Sequence, residues 1–82
     1  MPTKVQLVLD RDRLGRPVKT VTVWINGENA SGVGGYAETN ADAALAAAYY
    51  KQNKYGHEAK ATIKRCDKPV KKMYWSWSVK YE

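Results

Sequence analysis

Residues 71–82, KKMYWSWSVKYE, decide how the rest of the chain is read. Taken alternately, they separate Met73, Trp75, Trp77, Val79 and Tyr81 from Tyr74, Ser76, Ser78, Lys80 and Glu82. Successive side chains of a strand point to opposite faces, so this is the pattern of a half-buried strand with its aromatic side turned inward. Tyr74 is the aromatic residue that the alternation leaves outside. Two tryptophans on one strand need something to lie against, and the remaining sequence offers one candidate helix.

That helix is expected within residues 40–55. Thr39 or Asn40 can cap it, and Asp42 falls in the first turn, where the helix dipole favours a carboxylate. Gly56 supplies a stop. Six alanines lie between Ala41 and Ala48. The spacing places Ala41, Ala44, Leu45, Ala48, Tyr49 and Gln52 on one face, which is expected to lie close against a sheet that supplies the bulk.

The alternation recurs elsewhere. Val5, Leu7 and Leu9 oppose Lys4, Gln6 and Asp10 in a first strand, and "DRDRLGRP" forms a polar turn around Gly15 and Pro17. Val21, Val23 and Ile25 point inward in a second strand, opposite Thr20, Thr22 and Trp24, and that strand is expected to end at the turn dipeptide Asn26-Gly27. "GENASGVGGYAET" reads as a loop, or as a short edge strand around Val33 to Ala37. After the helix, Ala59, Ala61 and Ile63 alternate with Lys60, Thr62 and Lys64 before a turn at "DKPVKK". The expectation is one domain spanning residues 1–82 of the α+β class. It has an antiparallel sheet of four strands, or five with the short one, and a single helix on one face, in the order ββ(β)αββ.

At 82 residues such a domain buries only about 60% of the surface its unfolded chain exposes, and dimerisation would add to its stability. Cys66 and His57 are the only residues of their kinds. A disulfide framework and a Cys/His zinc site within one chain are therefore excluded, and a cytoplasmic setting is expected. "MPTKVQLVLD" lacks the apolar run of a signal peptide or a membrane span, and no membrane partner is expected.

Charge is segmental. Residues 1–50 balance Lys4, Arg11, Arg13, Arg16 and Lys19 against Asp10, Asp12, Glu28, Glu38 and Asp42. The whole surplus of +6 therefore falls in residues 51–82. A basic half of this kind suits a polyanion or an acidic protein. The outward strand positions add hydroxyls and two rings to the lysines, a combination that fits phosphate contacts together with stacking on bases. The candidate contact residues are Lys60, Lys64, Arg65, Lys68, Lys71, Lys72 and Lys80, with Trp24 and Tyr74 for stacking and Arg11, Arg13 and Arg16 on the first hairpin tip.

Catalytic chemistry finds no assembled set. His57 beside Glu58 reads as a solvated turn residue, and Cys66 between Lys64, Arg65 and Lys68 has no resolving thiol. Asp10 and Asp12 are interleaved with arginines, as in a salt-bridged turn. The glycines of "SGVGGYAETNADAA" lack the Gly-Lys-Ser/Thr ending of a phosphate loop. No enzyme, cofactor or metal site is expected.

The stretch 20–59, through Gly35, Tyr36 and Thr39, then Ala43 and Ala44, then Gly56 and Ala59, resembles part of the AP2 and integrase amino-terminal DNA-binding domains. That resemblance implies a three-stranded sheet backed by a helix and DNA contact through the sheet face. In size and style the chain also resembles small phage-encoded proteins, among them anti-CRISPR inhibitors. The expected partner is nucleic acid, DNA rather than RNA, or a nucleoprotein complex. The alternative is an acidic host protein of a defence complex, gripped by protein contact.

Overall fold

Residues 2–81 are described by the computed structural model of this chain. Five antiparallel strands, β1 (Thr3–Arg11), β2 (Pro17–Asn29), β3 (Gly32–Ala37), β4 (Lys60–Val70) and β5 (Met73–Lys80), form one sheet in the order β1-β2-β3-β5-β4. A single α-helix, α1 (Asn40–Tyr50), follows β3 and lies against the sheet, so the fold is α+β with the expected element order.

The alternation of the strands sets the two faces. Leu7, Val21, Val23, Val33, Ala37, Trp77 and Val79 are buried beneath the helix, and Trp77 retains only 2% of its surface. Trp75 is half-buried at the margin of this core. Trp77 also satisfies its indole N–H by donating to the Tyr36 carbonyl at 3.2 Å, as a buried tryptophan requires.

The third strand departs from expectation in position. It is the middle strand of the sheet, paired to β2 on one side and to β5 on the other. Its glycines explain how it fits there. A Cβ on Gly35 would collide with the Trp24 carbonyl oxygen, and one on Gly32 would lie 2.6 Å from that of Val79. Backbones this close exclude any larger residue.

The turns are also displaced. Asn26-Gly27 lies inside β2, where the pairing with β3 shifts register between Ile25 and Gly27, as at a β-bulge. The chain reverses at Ala30-Ser31, because Asn29 Oδ1 accepts from the N–H groups of Ser31 (2.8 Å) and Gly32 (3.1 Å). Likewise β4 runs on through Pro69 to Val70, and the reversal falls at Lys71-Lys72, with Lys71 at φ 58°.

Thr39 is the N-cap of α1, its hydroxyl accepting from the Asp42 N–H at 3.1 Å, and Gly56 closes the helical segment at φ 87°. Between them the chain widens into a π-turn over Lys51–Tyr55. A wider turn brings Tyr55 back toward the core side, where it is buried beside Tyr50 and donates its hydroxyl to the Asn29 carbonyl at 2.7 Å.

The buried helix face is not the expected one. Ala43, Ala46, Ala47 and Tyr50 are buried, whereas Ala41, Ala44, Ala48 and Gln52 are exposed and Leu45 and Tyr49 are half-buried. Alanine on every side leaves no strong apolar stripe, so the orientation is decided by the large residue that finds a partner. Tyr50 stacks on Trp77, and three alanines let the helix approach. Ala61, expected inward, is exposed on the edge strand β4.

Candidate nucleic-acid interface

The helix covers one face of the sheet, and register places the outward residues of the other face in rows. One row crosses all five strands: Lys4 opposite Trp24, Trp24 opposite Tyr36, Tyr36 opposite Ser76, and Ser76 opposite Lys64. The next row is made of small residues, with Gly27, Gly34, Ser78 and Thr62 in line. A third row sets Asn29, Gly32, Lys80 and Lys60 side by side. These three rows contain four lysines and no carboxylate.

The small row lies between two rows that carry longer side chains, Tyr36 and Lys64 in one and Lys80 and Lys60 in the other. It opens a groove of about 430 Å³ lined by Gly34, Thr62 and Ser78 of this row, by Tyr36, Ser76 and Lys64 of the row on one side, and by Lys80 of the row on the other. A second hollow of about 240 Å³ lies toward the β4–β5 hairpin, bounded by Cys66, Lys68, Val70 and Met73. Tyr36 borders both.

Strand directions bring the basic tips together. Because β2 and β5 are each antiparallel to β3, they run in the same direction, and both begin at the same end of the sheet. The β1–β2 turn and the β4–β5 turn therefore project from that end, on lanes separated by the width of β3, about 10 Å. Arg11, Arg13 and Arg16 lie on one tip and Lys68, Lys71 and Lys72 on the other. Each arm also exposes apolar surface, Leu14 and Val18 on the first, Val70 and Tyr74 on the second.

The first tip is internally braced. Asp12 Oδ1 accepts from the Leu14 and Arg16 N–H groups, both at 2.9 Å, and Oδ2 pairs with Arg16 Nε at 2.9 Å. The bond from the Arg16 amide, aided by its guanidinium and the Leu14 amide, holds the Asp12 carboxyl below its usual range despite some desolvation. Arg11 Nη1 donates to the Gly15 carbonyl at 2.7 Å. Arg11 and Arg16 thus shape the turn, leaving Arg13 as the arginine of this tip without a partner among the described residues.

The remaining candidate residues distribute unevenly. Lys60, Lys64 and Lys80 share the outer face. Trp24 is there too, half-buried, with the Lys4 ammonium 5.7 Å from the centre of its ring. Tyr74 is 42% exposed and lies beyond the end of β3, near the arms. Arg65 is the one that separates from the rest: it stands opposite Trp75, on the helix side of β4. The ion pair of Lys54 with Glu28, which keeps the Lys54 ammonium above its ordinary pKa, joins the helix end to β2.

Tyr36 belongs to this surface, although the candidate set formed from the sequence omitted it. The signal was present, since Val33 and Ala37 are apolar and inward, which by alternation turns Tyr36 outward. His57 is exposed in the turn after Gly56, and no group of three His, Cys, Asp or Glu side chains suited to a metal ion occurs among the described residues. No described helix is long and apolar enough to cross a membrane. No protein-family model, curated protein or solved structure matches this chain.

Proposed function

We propose that this domain acts by binding nucleic acid, without catalysis, through the outer face of its sheet and its two basic hairpin tips. The observation that carries this reading is the five-residue row Lys4, Trp24, Tyr36, Ser76 and Lys64. It sets cations at both margins of an aromatic and hydroxyl centre with no carboxylate among them. Lysines neutralise phosphates, rings stack on bases, and hydroxyls bond to either. The resemblance of residues 20–59 to DNA-binding domains that read through a sheet supports the same reading.

The test is a titration of the purified protein against labelled oligonucleotides at several salt concentrations. Binding that weakens with salt, and that weakens further when Lys64, Lys68, Lys71 and Lys72 are replaced by Gln, supports the proposal. Absence of binding at low salt removes it.

The apolar residues Leu14, Val18, Val70 and Tyr74 on the arms favour a second reading, in which the chain grips a host protein of a defence complex in the manner of a phage-encoded inhibitor. A pull-down from host lysate with and without nuclease separates the two. A partner retained after nuclease treatment supports protein contact.

A further inference from the structure

The glycines of β3 are not equivalent. Gly32 and Gly35 are demanded by the fold, because a side chain at either would collide with neighbouring backbone. Gly34 is not. A Cβ there would lie 3.7 Å from the Trp77 carbonyl oxygen and 3.9 Å from Ser78 Cβ, which is ordinary contact, and its backbone is not in the left-handed region. A glycine inside a strand weakens it, and the middle strand of a sheet favours β-branched residues. The chain therefore lacks a side chain where the fold would accept one, at the point where that side chain would fill the outer groove.

We propose that this groove seats one unpaired base of a single-stranded nucleic acid, and that Gly34 is bare in order to admit it. The inference rests on the nucleic-acid reading above and narrows it to the single-stranded form. The groove's volume of about 430 Å³ falls within the range of small-ligand sites, roughly 300–1,000 Å³. Tyr36 lines the groove with an aromatic side chain, and Ser76 and Ser78 line it with hydroxyls; that of Ser76 donates to the Lys64 carbonyl at 3.4 Å and keeps its acceptor lone pairs for a base edge, and that of Ser78 can donate or accept. Lys64 and Lys80 are placed for the flanking phosphates, with no ionic partner among the described residues. A duplex hides its base faces against one another, so only an unstacked base can use a seat of this form. Because Tyr36 also borders the hollow that contains Lys68, a neighbouring nucleotide can lie on its other side.

The experiment compares thymidine and adenosine single strands with a hairpin duplex of equal charge, by fluorescence anisotropy at low salt. The proteins are the native chain, Gly34→Val and Tyr36→Leu, each with a melting curve. Gly34→Val is expected to melt at or above the native temperature. It should lose roughly 5- to 150-fold in single-strand affinity, the range spanned by stacking of one base, with duplex affinity unchanged. Tyr36→Leu should also lose single-strand affinity by a similar factor. A folded Gly34→Val that binds single strands as the native chain does overturns the inference, as does a preference for duplex; both leave the general reading standing. Failure of the native protein to bind either form overturns both.

Discussion

The Tyr50 ring lies stacked on Trp77, with centroids 5.5 Å apart and planes inclined by 21°. This contact joins the end of α1 to the strand next to the centre of the sheet. It also shows why the two tryptophans of β5 are unequal, since Trp77 lies beneath the helix while Trp75 lies at the margin.

Truncation of Trp77 to Ala should therefore cost about 3–5 kcal/mol, a large part of the stability of a small domain. Trp75→Ala should cost less, and Tyr74→Ala little. Urea unfolding of the three variants checks the order, and equal midpoints for Trp77→Ala and Tyr74→Ala would contradict the face assignment.

Burial pushes the Tyr50 hydroxyl up to about 12, with Glu28 and the neighbouring tyrosines adding to the rise. A folded-state value above the unfolded one, 10.0, favours the protonated form on folding. The stability it contributes is complete below pH 10 and is lost as pH climbs toward about 12. Tyr55, raised chiefly by desolvation, and Lys54, raised chiefly by its bond to Glu28, act in the same direction. Melting temperature followed against pH should fall in this alkaline window, and Tyr50→Phe should fall less steeply.

At the first tip the sign is reversed. Asp12 is depressed below 3.8, so its bonds to Leu14 and Arg16 persist through mild acid and are lost only as pH drops through the lowered value. The amide proton shifts of Leu14 and Arg16, followed by NMR in an acid titration, should share one midpoint below 3.8. Asp12→Asn should abolish that shared titration.

Gly35→Ala places a methyl against the Trp24 carbonyl and must push β2 and β3 apart. A loss of about 1–3 kcal/mol or more is expected. Gly34→Ala, one residue away, should be neutral or stabilise by about 0.5–1 kcal/mol. Denaturant midpoints of the pair decide whether the two glycines differ as described.

If four lysines contact phosphates, log affinity should fall against log salt with a slope of about −3.6 for duplex DNA and about −2.8 for a single strand. Between 50 and 200 mM salt these slopes correspond to losses of roughly 150-fold and 50-fold. Replacing Lys64, Lys68, Lys71 and Lys72 by Gln should flatten either slope. A slope near zero in the native protein would point instead to the apolar tips.

Much was legible before folding, because it depends on neighbours in sequence. The alternation of β5, β2 and β1 turns Trp77, Val79, Val21, Val23 and Leu7 into the core, although Met73 and Tyr81, expected with them, lie outside it, and Thr39 and Gly56 mark the ends of the helical segment through their own local preferences. The basic surplus of residues 51–82 is likewise a property of the chain alone.

What only the tertiary structure decided depends on residues far apart in sequence. The central place of β3 follows from Gly35 lying against the Trp24 carbonyl on one side and opposite Trp77 on the other. The rotation of α1 follows from Tyr50 meeting Trp77, since alanines on every side carry no directional information. Asn26-Gly27 has the composition of a turn, yet pairing with β3 holds it extended, and reversal passes to the Asn29 side chain. The shared direction of β2 and β5 then gathers two basic tips that lie more than fifty residues apart in the chain. Strand order also brings Tyr36 beside Ser76 and opens the groove over Gly34. Local preference sets which way each strand residue faces, but only long-range pairing sets what it faces across the sheet.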